Sequence, residues 1–228
     1  MRSAHMKLTK RMIATHDLSE SIFVILSQPQ LEIYMRYTLF STPILSAFLR
    51  FLSKIILKLI RWRVTGALPE DHKKYVLIVA PHTSNWDFFL FVLTVSVLQL
   101  QPSVLIKSTL FIGPLGWFLR YCGAIPVNRS QASSLVDYIA GLYRERDEFV
   151  LIITPEGTRS PNPKWKLGFH YVASAAEVPI LVVYVDSMTR TIGIEGLMEP
   201  STDVQADLKE LKQFFDTKSG LKPKNYAS

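Results

Sequence analysis

Short uncharged runs limit what this chain can become. Residues 75–80 read Tyr-Val-Leu-Ile-Val-Ala, residues 149–153 read Phe-Val-Leu-Ile-Ile, and residues 180–185 read Ile-Leu-Val-Val-Tyr-Val. A half-exposed strand alternates apolar and polar residues. A short run that is apolar throughout reads instead as a strand buried on both faces, as in parallel sheets. Pro81 and Pro155 stand just beyond the first two runs. Shorter strands read at 104–106, 124–127 and 191–194, and helical patterns at 86–100, 134–146, 167–176 and 203–215. Gly113-Pro114-Leu115-Gly116 reads as a turn. Strands alternating with helices predict an α/β fold: a mixed β-sheet flanked by helices on both faces.

The N-terminal part has a different character. In residues 50–61, Arg50, Lys54, Lys58 and Arg61 recur at spacings of four, four and three. At about 100° per residue they share one helix face, while Phe51, Leu52, Ile55, Ile56, Leu59 and Ile60 fill the rest. A wide apolar arc beside a basic stripe suits an anionic bilayer surface; a helix packed on the core with a solvated stripe is the other reading. The stretch 37–49 is too short for the ~20 residues of a spanning helix. Residues 88–106 carry no charge and approach that length, but Gln99, Gln101 and Pro102 interrupt them, so they read as helix plus strand. No uninterrupted apolar run follows Lys7, Lys10 and Arg11, so a secretory signal is not expected. The organisation expected is a membrane-associated helical segment over 1–64, an α/β domain over 65–217 and a flexible tail over 218–228. A net charge of +7 suits an anionic partner, whether nucleic acid, anionic lipid or a phosphorylated substrate. No helix-turn-helix or RNA-platform signature supports the nucleic acid. Cys122 is the single cysteine, which fits a reducing compartment.

Two polar segments follow buried strands, where α/β folds place ligand sites. In His82-Thr83-Ser84-Asn85-Trp86-Asp87, histidine is the residue type suited to a general base near neutrality. An aspartate five residues on can hold its other ring nitrogen. The same residues also read as a helix start, with Ser84 or Asn85 as cap and Asp87 facing the helix dipole. In Thr154-Pro155-Glu156-Gly157-Thr158-Arg159-Ser160, Gly157 permits a tight turn, and Arg159 offers a planar fork for phosphate. The alternative there is a turn with a local ion pair.

Taken together and in order, His82-x-x-x-x-Asp87, Gly123-Ala124-Ile125-Pro126-Val127-Asn128-Arg129, Pro155-Glu156-Gly157-Thr158-Arg159-Ser160 and Val178-Pro179-Ile180 resemble the glycerolipid (lysophospholipid) acyltransferase family, typified by bacterial 1-acyl-sn-glycerol-3-phosphate acyltransferases. The resemblance covers roughly residues 65–200. It implies an O-acyltransferase that moves a fatty acyl group from acyl-CoA or acyl carrier protein to the hydroxyl of lysophosphatidic acid, giving phosphatidic acid, at the cytoplasmic face of the (inner) membrane. It implies His82 and Asp87 as the catalytic pair, with Lys107, Arg129, Glu156, Gly157, Thr158, Arg159 and Lys166 binding substrate. It implies no metal or redox cofactor; the acyl thioester is a co-substrate. Pro81, Asn128 and Thr154 depart from the residues common in the family at those places. Another lysolipid acceptor, such as a lyso-ornithine lipid, and a non-catalytic lipid-binding protein of the same fold therefore stand as alternatives.

Overall fold

In the run 74–80 every second side chain faces the same way, and both faces are apolar, so a strand formed there is stable only between two layers. The computed structural model, which describes residues 38–128 and 132–226, places it so. Strand β2 (Lys74–Ala80) lies mid-sheet, between β5 (Phe149–Ile153) and β6 (Ile180–Asp186). Beyond β5 come β3 (Pro102–Lys107) and β4 (Ala124–Val127); beyond β6 come β7 (Thr191–Met198) and β1 (Arg63–Thr65). The seven-stranded order is β1-β7-β6-β2-β5-β3-β4, and only the β6–β7 pair is antiparallel. The sheet is therefore mixed, as expected.

Val76, Ile78 and Ala80 point into one core, against α4 (Ala132–Glu145), α5 (Gly168–Ala176) and α6 (Val204–Phe215), with Tyr143, Phe169 and Phe215 filling it. Tyr75 and Leu77 point into the other, against α1 (Pro43–Leu59) and α2 (Trp86–Leu98) through Leu57, Leu90 and Leu93. Both faces of the sheet are covered.

Residues 88–106 divide as read: α2 ends where Gln99 takes a left-handed conformation, and β3 begins at Pro102. Among the described residues no helix is long and apolar enough to cross a membrane.

Two expectations need correction. Residues 113–116 are not a turn but the first part of helix α3 (Gly113–Tyr121). Proline suits a helix's first turn, where an N–H is unpaired in any case, so Gly-Pro opens this helix rather than ending an element. Residues 218–226 are not a free tail. Leu221 joins the α1–α2 core, Tyr226 packs on the opposite one, and a 3₁₀ turn forms at Pro223–Asn225. Of the expected N-terminal segment, residues 1–37 lie outside the described residues, as do Arg129 and the last two residues of the tail.

Candidate active site

Parallel neighbours in register deliver the segments that follow them to the same place. β2 and β5 pair with Ile78 opposite Ile153, so the loop after Ala80 and the loop after Ile153 emerge side by side at one sheet edge. His82 lies on the first loop and Glu156 on the second. The backbone N–H of His82 donates to Glu156 Oε1 at 2.8 Å.

The loop 82–85 is short because α2 starts at once, and this brings Asp87, in its first turn, back over the loop. Asp87 Oδ2 accepts the N–H groups of Thr83 and Ser84, each at 2.7 Å, and stands 3.1 Å from His82 Nδ1. Asp87 is buried, whereas the His82 side chain keeps a solvent-facing part. A carboxylate at Nδ1 favours the tautomer with its proton there. Nε2 then carries a lone pair and is the nitrogen able to take a proton. Ser84 Oγ accepts the N–H of Trp86 at 3.2 Å, so Ser84 caps the helix start and Asn85 does not.

Glu156 is 4% exposed, and its Oε2 has no hydrogen-bond partner among the described residues. Burial pushes its carboxyl up to about 7, against the opposing pull of the His82 N–H and the His82 charge. The loop beyond it closes on itself. Asn162 Nδ2 donates to the Glu156 carbonyl at 2.9 Å, and the Lys166 N–H donates to the Pro155 carbonyl at 2.8 Å. Gly157 has φ +65°, a left-handed conformation that calls for glycine, and the exposed Lys166 side chain lies over it. Thr158 Oγ1 accepts the Ser160 N–H at 3.2 Å, while Arg159 and Lys166 are exposed. Lys107 ends β3, exposed at the same edge, two strand spacings or roughly 10 Å along from β2. The structure thus joins His82, Asp87 and Glu156 directly and sets Gly157, Thr158, Arg159, Lys166 and Lys107 along one edge.

Sequence reading missed what stands behind the pair. The C-terminal segment crosses the first loop. The Lys222 N–H donates to Thr83 Oγ1 at 3.0 Å, and Asn225 Nδ2 donates to the Thr83 carbonyl at 3.0 Å. A Cβ on Gly220 would lie 2.5 Å from Thr83 Oγ1, so only glycine lets the two backbones come this close. Ser187 ties the segment to the β6–β7 turn by donating its hydroxyl to the Gly220 carbonyl at 2.8 Å. Thr83 and Asn225 are 142 residues apart, and no local pattern signals such a contact.

A family model described as Acyltransferase matches residues 61–186, more than half of the chain and the whole of the site just described apart from the C-terminal segment. The chain belongs to this acyltransferase family. It is similar to the 1-acyl-sn-glycerol-3-phosphate acyltransferase of Streptococcus pneumoniae, at 33% identity over 128 residues, covering 55% of this chain and 47% of that protein. It is also similar to the human 1-acyl-sn-glycerol-3-phosphate acyltransferase beta, at 33% identity over 88 residues, covering 36% of this chain and 32% of that one. The chain thus spans about half the length of the bacterial relative and about a third of the human one. The crystal structure of the 1-acyl-sn-glycerophosphate (LPA) acyltransferase PlsC from Thermotoga maritima shares the fold, with a TM-score of 0.50 at 16% identity, over 78% of this chain and 80% of that one. Within the acyltransferase family's span lie His82, Asp87, Glu156 and every other residue for which the resemblance implies substrate binding.

Proposed function

We propose that this chain transfers a fatty acyl group from a thioester, acyl-CoA or acyl-acyl carrier protein, to the hydroxyl of lysophosphatidic acid, forming phosphatidic acid. The observation that carries the reading is the His82–Asp87 pair: an imidazole held through Nδ1 by a buried carboxylate, with part of its side chain reaching solvent. The names of the two relatives support the choice of acceptor.

In this mechanism His82 Nε2 takes the acceptor's hydroxyl proton as the oxygen attacks the thioester carbonyl. The tetrahedral intermediate collapses with cleavage of the C–S bond, and the imidazolium returns its proton to the leaving thiolate. Asp87 orients the ring and stabilises its cationic form. Arg159, Lys107, Lys166 and Arg129 supply positive charge for the acceptor's phosphate, and Gly157 and Thr158 shape the loop that presents Arg159. Glu156 braces the backbone of His82. No metal or redox step enters.

The lipid substrates place the reaction at a membrane. Helix α1 supports this: Ile44, Phe48, Phe51, Ile55 and Leu59 are exposed on one side, opposite the Ser53 and Leu57 face that packs inward. We assign the protein to the cytoplasmic face of the (inner) membrane, bound to an anionic surface through this helix.

The test gives purified protein in neutral detergent an acyl thioester and a panel of lysolipids, with products read by mass spectrometry. Acyl transfer to lysophosphatidic acid should fall by roughly 10²–10⁴-fold in His82→Ala, the contribution of a positioned base. Asp87→Asn should fall comparably. Transfer only to a different lysolipid would keep the mechanism and replace the acceptor. Absence of transfer to any acceptor from a folded protein, with both donors tried, would overturn the reading in favour of a lipid-binding protein.

A further inference from the structure

A cavity of about 670 Å³ opens where α1 gives way to β1, and five of its lining residues are cations: Lys54, Lys58, Arg61, Arg63 and Arg190. No carboxylate lines it, and its floor includes the buried Leu57. Its construction follows from the chain path. Arg61 takes a left-handed conformation (φ 60°) that turns the chain sharply out of α1. The Arg63 N–H then donates to the Arg190 carbonyl at 2.9 Å, which sets the start of β1 against the turn between β6 and β7. Five like charges around one concavity repel each other, and a polyvalent or phosphate-bearing anion relieves that repulsion.

Strand register locates the cavity. Tyr184 of β6 stands opposite Ala80 of β2, so the β6–β7 turn leaves the sheet at the edge where His82 lies. In the order β1-β7-β6-β2-β5-β3-β4, β1 is three strand spacings, or about 14 Å, to one side of β2. Lys107, Arg159 and Lys166 all follow strands on the other side. The cavity therefore shares no cation with the acceptor's site. Lys54 and Lys58 border the exposed apolar arc of α1, with Arg61 beyond them, at the depth of headgroups if that arc is immersed in lipid.

We propose that this cavity is a second anion site, one that takes a phosphate-bearing group, and that its occupant is the headgroup of an anionic membrane phospholipid. Held there, the protein presents the His82 edge of the sheet to the bilayer. The lipid source rests on the reading of α1 as a membrane-surface helix; the anion site itself does not.

Arg63 and Arg190 separate the cavity from the helix, because both lie off α1 and their replacement leaves its apolar arc intact. Flotation is measured with phosphatidylcholine vesicles and with vesicles that also contain phosphatidylglycerol, for the full chain and for Arg63→Gln/Arg190→Gln. The extra binding conferred by the anionic lipid should fall roughly thirty-fold with two such cations removed. Binding to neutral vesicles, the melting temperature and acyl transfer in neutral detergent should not change, and Arg63→Lys/Arg190→Lys should restore the increment. An anionic increment that survives in the glutamine variant overturns the proposal. Calorimetry with coenzyme A and with inorganic pyrophosphate distinguishes the source: tight binding lost in the same variant, without any anionic increment in flotation, overturns the lipid occupant and assigns the cavity to a soluble phosphate ligand. If the anionic increment behaves as expected while no acyl transfer is found, the proposed reaction fails and the cavity stands.

Discussion

One oxygen of Asp87 serves two backbone N–H groups and the His82 ring. The two readings of His82-x-x-x-x-Asp87, a helix start and a base with its orienting acid, are therefore not rivals here. The carboxylate that satisfies the loop's free N–H groups is the one that fixes the imidazole. Glu156 complements it from the neighbouring strand, and its burial has a consequence in pH. Its carboxyl titrates near 7 in the fold and near 4.5 when unfolded. A raised value means that the folded state holds a proton that the unfolded chain has released. The stability this contributes is complete below about pH 4.5 and is lost as pH rises through about 7, on the order of 3 kcal/mol at most. Glu156→Gln keeps an oxygen for the His82 N–H and has nothing to titrate. The variant should lack the fall in stability between pH 4.5 and 7 that urea denaturation finds in the parent, and should retain most of its turnover.

At the scale of elements, the site depends on segments that are distant in the chain. Helix α2 supplies Asp87 and, through Ser84, its own cap; the loop after β5 supplies Glu156; the C-terminal segment holds Thr83 from behind. The Thr83 N–H in turn donates to Asp87, so the segment acts on the His82–Asp87 pair through the backbone of one residue. Asn225→Ala and Gly220→Ala should therefore lower kcat, by roughly tenfold or more if the pair shifts by a fraction of an ångström, with little change in KM for the thioester. The melting temperature should move little in Asn225→Ala, because it loses one part-buried hydrogen bond. An equal loss in both kinetic constants would reduce the segment to a structural brace.

For the molecule as a whole, two helices on the face opposite α1 and α2 are clasped by a buried polar cluster. His170 Nε2 lies 2.7 Å from Asp207 Oδ2, and Ser201 donates its hydroxyl to Asp207 Oδ1 at 2.6 Å and its N–H to Oδ2 at 2.8 Å. Burial pushes Asp207 up, but the Ser201 hydroxyl and N–H and His170 outweigh it and leave the carboxyl below its ordinary value. A depressed carboxylate contributes stability above its unfolded value and loses it as pH falls into the acid range. Asp207→Asn should lower the melting temperature at neutral pH by about 5 °C and flatten its decline towards acid, as measured by calorimetry. Acyl transfer at low temperature should persist, since this cluster lies on α5, α6 and Ser201 just before α6, away from His82, Asp87 and Glu156.

The sheet-and-helix alternation, the strands at its centre, and the two polar segments that carry His82, Asp87 and Glu156 are legible in the sequence. Each of these follows from a local cause: an unbroken apolar run must be buried on both faces, and polar groups that follow it must leave at the strand's end. The Gly-Pro pair that opens α3 signals both a turn and a helix start, and only packing decides between them. Strand β1 leaves no mark in the sequence, because three residues are too few for a period to show. Packing alone sets residues 220–225 against the first motif and brings Arg190 to Arg63 beside α1. Such contacts depend on strand order and register, which bring together residues more than a hundred positions apart, and a local pattern carries no record of them.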